Sequence, residues 1–142
     1  MLPRFHHILV PLDFTEKNQS ALDVAFEIAV ANQSRVTLLH VIEQIDLPGD
    51  DEVEEFTDQL RQRADRELEL RGQRFAEANV AIDWKIRLGV RAREIAGYET
   101  EHGIDLIVLS SHPVDASDPA RSLTTLSYQV AMLSRCPVLL VK

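Results

Sequence analysis

Five apolar runs of strand length alternate with longer stretches of helical period, and this alternation constrains the fold more than any other feature of the chain. The runs are His7–Asp13, Arg35–Glu43, Val80–Leu88, Ile104–Ser110 and Cys136–Val141. Near-continuous apolar runs with β-branched residues suit strands buried on both faces, as in parallel sheets. The third run differs. Ile82, Trp84, Ile86 and Leu88 alternate with Ala81, Asp83, Lys85 and Arg87, which predicts a half-exposed edge strand.

The segments between them read as helices. Ala21, Val24, Ala25 and Ile28 share one face of the first. Val53, Phe56, Leu60, Ala64, Leu68, Gly72 and Phe75 line the second, with Glu54, Glu55, Arg61, Arg63 and Asp65 on a solvated face. Gln44 to Glu52 is the expected loop before it, turning at Pro48-Gly49. The third helix centres on Ala92, Ile95 and Ala96 and ends at Gly103, a natural C-cap. The fourth carries Leu123, Leu126, Val130 and Leu133 and must stop before Pro137.

Strands alternating with helices imply right-handed βαβ crossovers and a parallel sheet with helices on both faces. With the third strand at an edge, the order is 3-2-1-4-5. The strand order then reverses between strands one and four. Ligands of such sheets bind at the carboxyl ends of the strands near that point, which singles out Pro11 to Thr15, His40 to Glu43, and Ser110 onward.

The rest of the sequence narrows the class. Residues 1–142 form one α/β domain, long enough for one core. Fifteen Lys and Arg oppose 23 Asp and Glu, a net charge of −8, which argues against nucleic-acid or anionic-membrane partners. No apolar run approaches the ~18 residues that span a bilayer. The start has no signal-peptide pattern, and Cys136 is the one cysteine, so the expected location is the cytoplasm.

Ile8–Asp13, Leu38–Ile42, Asp105–Val108 and Cys136–Val141, in that order and spacing, resemble the universal stress protein family over nearly the whole chain. The resemblance implies the five-stranded sheet just derived, a fold like that of the adenine-nucleotide alpha hydrolases, stress-related roles and homodimers. Many members bind ATP through a signature after the fourth strand: glycine, two residues, glycine, nine residues, glycine, then Ser or Thr. Here the glycine positions hold Ser110, Pro113 and Thr124, the hydroxyl position holds Thr125, and the second gap is one residue longer. No glycine occurs after Gly103.

Glycine lets backbone N–H groups approach phosphate and adopt positive φ, whereas Pro113 has no N–H to offer. Asp115 and Asp118 add negative charge. At ~6 Å and an effective dielectric of ~20, each carboxylate–phosphate pair costs ~3 kcal/mol before screening. Arg121 and a helix start at Thr124-Thr125 offset part of this. The resemblance places Asp13 near a ribose or adenine, Val41 at a base contact and Gly89-Val90 in the pocket wall. Asp13 reads equally as a cap for the loop that follows it, and Val41 as core.

The histidines His6, His7, His40, His102 and His112 have no helical metal spacing. His40, His112 and Asp13 are the one combination that the strand order brings together, and the expectation is no metal. Ser110 and Ser111 beside His112 do not make a triad, Gly-x-Ser-x-Gly is absent, and a Cys136 starting a buried strand is inert. No catalytic residue is expected. The last strand is an apolar edge, a pairing hazard unless covered, and a second copy pairing through Cys136, Val138 and Leu140 would cover it.

The sequence therefore predicts a non-enzymatic, dimeric stress-response protein with a degenerate ATP loop, no cofactor and unidentified protein partners, with ATP or AMP disfavoured. The alternative is a regulator that holds AMP, ADP or ATP through Asp13, Val41 and the Thr124-Thr125 helix start.

Overall fold

The computed structural model describes residues 4–43, 51–111, 117, 118, 120 and 125–142. Its elements run β1 (His7–Pro11), α1 (Asn18–Asn32), β2 (Arg35–Ile42), α2 (Asp51–Glu77), β3 (Ile82–Leu88), α3 (Arg91–His102), β4 (Leu106–Ser110), α4 (Leu126–Leu133) and β5 (Val138–Val141). All five strands are parallel, in the order β3-β2-β1-β4-β5. This is the predicted order, and it places the reversal point between β1 and β4.

Successive side chains of a strand point to opposite faces, and each face of this sheet has its own core. On one face Ile8, Val10, Leu38 and Val108 pack against Ala21, Leu22, Ala25 and Ala29 of α1 and Leu68 and Phe75 of α2. On the other, Leu9, Leu39, Val41, Ile107 and Leu109 pack against Ala92, Ile95 and Tyr98 of α3 and Val130 of α4. The unbroken apolar runs of β1 and β4 follow from this double burial.

Several sequence expectations shift. Of the long stripe on α2, only Ala64, Leu68, Gly72 and Phe75 are buried, and Phe56 is 52% exposed. Leu133 of α4 is likewise exposed, with Val130 the buried residue of that helix. Strand β3 is an edge, but its second face is not bare: Asp83 bonds to Thr37 and the Arg87 guanidinium lies over the Tyr98 ring. Gly103 caps α3 at φ 64°, donating its N–H to the Glu99 carbonyl, as its position predicted. The turn at Pro48-Gly49, Leu123, and most of the stretch from Val114 to Ser122 lie outside the described residues.

Strand β1 closes two residues before Asp13 for a local reason. The N–H groups of Asp13 and Phe14 turn inward and donate to Asn18 Oδ1, at 3.0 and 2.8 Å. Strand β5 starts at Val138 rather than Cys136, because the N–H groups of Arg135 and Cys136 donate to the buried Glu99 carboxylate, at 3.2 and 2.9 Å.

Candidate functional site

A small cleft of about 50 Å³ sits at the carboxyl ends of β1, β2 and β4. Pro11, Leu12, Asp13, Asn18, Leu39, Val41, Arg91, Ile95, Ser110 and Leu126 line it. Three of the residues that the sequence offered for a nucleotide pocket therefore meet there: Asp13, Val41 and Ser110. Gly89 lies outside that lining and acts on the wall. Its N–H donates to the Ile42 carbonyl at 3.0 Å. Its φ is 148°, and a Cβ at this position would fall 2.6 Å from Glu94 Oε1, so the turn into α3 requires glycine.

Thr125 is the N-cap of α4, its hydroxyl accepting from the Tyr128 N–H at 3.3 Å. Its side chain thus serves the helix start, the ordinary role of a threonine at that position. Thr124, Pro113, His112, Asp115 and Arg121 lie outside the described residues.

Asn18 organises the cleft. It is 2% exposed. While its Oδ1 holds the loop after β1, its Nδ2 donates to Ser110 Oγ at 3.0 Å. One amide thereby ties the end of β1 to the end of β4 across the reversal point. Next door, Ser111 Oγ lies 3.2 Å from Ser127 Oγ, tying β4 to α4.

The Asp13 carboxylate turns back on its own loop, accepting from Thr15 N–H at 3.0 Å and Thr15 Oγ1 at 2.7 Å. This is an Asx-type turn. Burial pushes the Asp13 pKa up, but the Thr15 hydrogen bonds, the Arg91 charge and Asn18 outweigh it and hold the carboxyl below its usual value. Both readings of Asp13 thus have a physical basis: it caps the loop and it faces the cleft.

Phe14 follows in the left-handed region at φ 66°, costly for a bulky residue. Its ring stacks on His40 at 4.2 Å, with the Arg71 guanidinium 5.1 Å above. His40 Nδ1 meets the Leu12 carbonyl at 2.7 Å. Burial and, secondarily, the Arg91 charge keep the His40 pKa below its usual value. Among the described residues no group of three or more His, Cys, Asp or Glu is placed to hold a metal ion.

Two residues of the cleft carry no sequence motif. Asn18 had one legible signal: it falls in register with Ala21, Leu22, Ala25 and Ala29, a polar residue on an apolar stripe. Arg91, the first residue of α3, had only its place after Gly89-Val90. Its Nε is 3.7 Å from Glu43 Oε1, a loose pair with both side chains substantially exposed.

With the geometry in place, comparison with known proteins decides the family. The model of the universal stress protein family matches residues 4–142. The chain belongs to the universal stress protein family. A universal stress protein of Bacillus subtilis, YxiE, is 31% identical, covering 97% of this chain and 99% of the relative. The structure of universal stress protein UspA from Lactobacillus plantarum superposes with a TM-score of 0.84 at 26% identity, covering 98% and 99%. A universal stress protein from Archaeoglobus fulgidus in complex with dAMP gives 0.70 at 15% identity, covering 97% and 98%, a likeness of fold. Among the described residues no helix is long and apolar enough to cross a membrane.

Proposed function

We propose that this universal stress protein is a non-enzymatic, dimeric regulator of the cytoplasm that works by association rather than by holding a nucleoside triphosphate. One observation carries the reading. Ser110, at the first glycine position of the family's phosphate signature, has a hydroxyl bound to Asn18. A glycine there would offer bare backbone to a phosphate. This chain offers a side chain already engaged with Asn18 at the start of α1.

Association has its own support. Strand β5 is the sheet edge beside β4, and Leu139 is 39% exposed. Tyr128, Met132 and Leu133 of α4 are exposed as well. Val138, Leu140 and Cys136 instead pack toward the core beneath α3 and α4. A two-fold pairing would therefore run through the β5 main chain with Leu139 outward. Sedimentation of the purified protein should give a dimer, and mass spectrometry of gently purified material should find no retained nucleotide. A monomer at micromolar concentration, or one ATP per chain, contradicts the reading.

A second reading is a regulator that holds AMP, ADP or ATP through Asp13, Val41 and the helix start at Thr124-Thr125. Its support is that Asp13 and Val41 line one cleft and that a relative of the same fold has been solved with dAMP.

A further inference from the structure

Strand β3 is one of the two edges of the sheet, and among the described residues it pairs with β2 alone. It is the longer edge, seven residues against four in β5. Two hydrogen bonds at its ends show which backbone groups it leaves free. The Ala81 carbonyl accepts from the Val36 N–H, and the Gly89 N–H donates to the Ile42 carbonyl. Backbone groups alternate sides along a strand, so Asp83, Lys85 and Arg87 also turn theirs to β2. Ile82, Trp84 and Ile86 therefore present N–H and C=O groups on the open side, a template for another strand.

The side chains decide which strand fits. Asp83, Lys85 and Arg87 share one face of β3, and Ile82, Trp84 and Ile86 share the other. Lys85 is the one exposed residue of the strand and has no ion pair among the described residues. A lysine on an edge opposes pairing unless an anion faces it. Asp83 can be that anion. It bonds to Arg35 and Thr37, yet a carboxylate has about four acceptor sites, and this side chain is 31% exposed.

A second β3 brought up antiparallel is related to the first by a two-fold axis, and the residue on the axis fixes the register. Asp83 or Lys85 on the axis meets its own like charge. Ile86 on the axis sets Lys85 against Arg87. Trp84 on the axis sets Asp83 against Lys85 twice, Ile82 against Ile86 twice, and Trp84 against itself. Asp83 and Lys85 then face each other at a non-hydrogen-bonded position, where cross-strand side chains are closest.

We propose that the free edge of β3 is a self-association surface, on which two copies pair antiparallel about Trp84. This rests on the reading that the protein works by association, but not on the β5 contact. Where both edges pair, two isologous contacts at opposite ends of one sheet carry the assembly past a dimer.

The test mixes unlabelled and isotope-labelled full chain at high concentration and treats it with a carbodiimide, which joins a carboxylate to an amine in contact with it. Mass spectrometry of the digest should find Asp83 of one copy joined to Lys85 of another. Sedimentation across a range of concentrations should show association that Lys85→Glu weakens about tenfold and Lys85→Arg retains. The Lys85 side chain is exposed, and a thermal melt checks that each variant is folded. Hydrogen exchange at the Trp84 and Ile86 amides should slow as concentration rises. Amides protected even at high dilution would mean that other residues of the same chain cover the edge. Amides open at every concentration would leave it to a different partner. Either result overturns the inference. A dimer untouched by Lys85→Glu and free of the cross-link also overturns it, and leaves the association reading standing through β5. A monomer at every concentration overturns both.

Discussion

Asn18 Nδ2 donates to Ser110 Oγ at 3.0 Å, joining the first turn of α1 to the end of β4 across the point where the strand order reverses. The same amide's oxygen accepts from two successive N–H groups of the β1 loop. Three hydrogen bonds of one buried side chain thus hold the ends of the two central strands together.

Asn18→Ala should therefore be expensive. It strands two N–H groups and removes the Ser110 contact, a loss of ~2–3 kcal/mol by urea denaturation. Ser110→Ala, which leaves the loop bonds intact, should cost only ~1 kcal/mol. Equal costs would mean that the loop bonds contribute nothing.

Phe14 at φ 66° reverses the usual ranking of glycine and alanine. Either substitution removes the stack on His40 and the contact with Arg71. Only glycine also relieves the left-handed strain, so Phe14→Gly should be more stable than Phe14→Ala by ~1 kcal/mol. A melt in which alanine is the more stable variant rules out a strained loop.

Gly89→Ala meets two obstacles: a φ of 148° and the Glu94 carboxylate. The expected loss is ~1–3 kcal/mol. Adding Glu94→Ala clears the contact but not the dihedral, so the double variant should recover part of the loss. Full recovery would show that the dihedral carries no strain.

His7 and His40 both have pKa values lowered in the fold, chiefly by burial. The unfolded chain therefore binds these protons more readily than the fold does. Their contribution to stability is complete above the unfolded value of about 6.5 and is lost as pH falls through the folded values. Denaturation midpoints between pH 8 and pH 5 should fall with acidity, and a His7→Gln, His40→Gln double variant should flatten the decline.

The Cys136 thiol is pushed up to about 12 by burial and by the neighbouring Glu99 carboxylate. At pH 8 the group is therefore the thiol, not the nucleophilic thiolate. Alkylation by iodoacetamide should be far slower than for a free thiol, and Glu99→Gln should speed it. Fast labelling of the folded wild-type protein contradicts this environment.

The alternation of apolar runs and helical stripes was enough to read the sheet order, because strands buried on both faces must be apolar throughout. It also located the cleft, since the reversal point follows from strand order. Asn18 and Glu99 were not legible in the same way. Each is a polar residue on a buried helix face, and its value lies in backbone N–H groups that only the folded chain presents to it. The α2 stripe misled in the opposite direction. Its period continues through Val53, Phe56 and Leu60, but burial on this helix begins at Ala64. Periodicity reports which face of a helix is apolar, not how far along it the sheet extends.

The central claim, that the place of the phosphate cradle is taken by a side-chain tie, is tested most directly by calorimetric titration of the purified protein with Mg-ATP. The account predicts no binding stronger than hundreds of micromolar. A micromolar dissociation constant at one ATP per chain would contradict it.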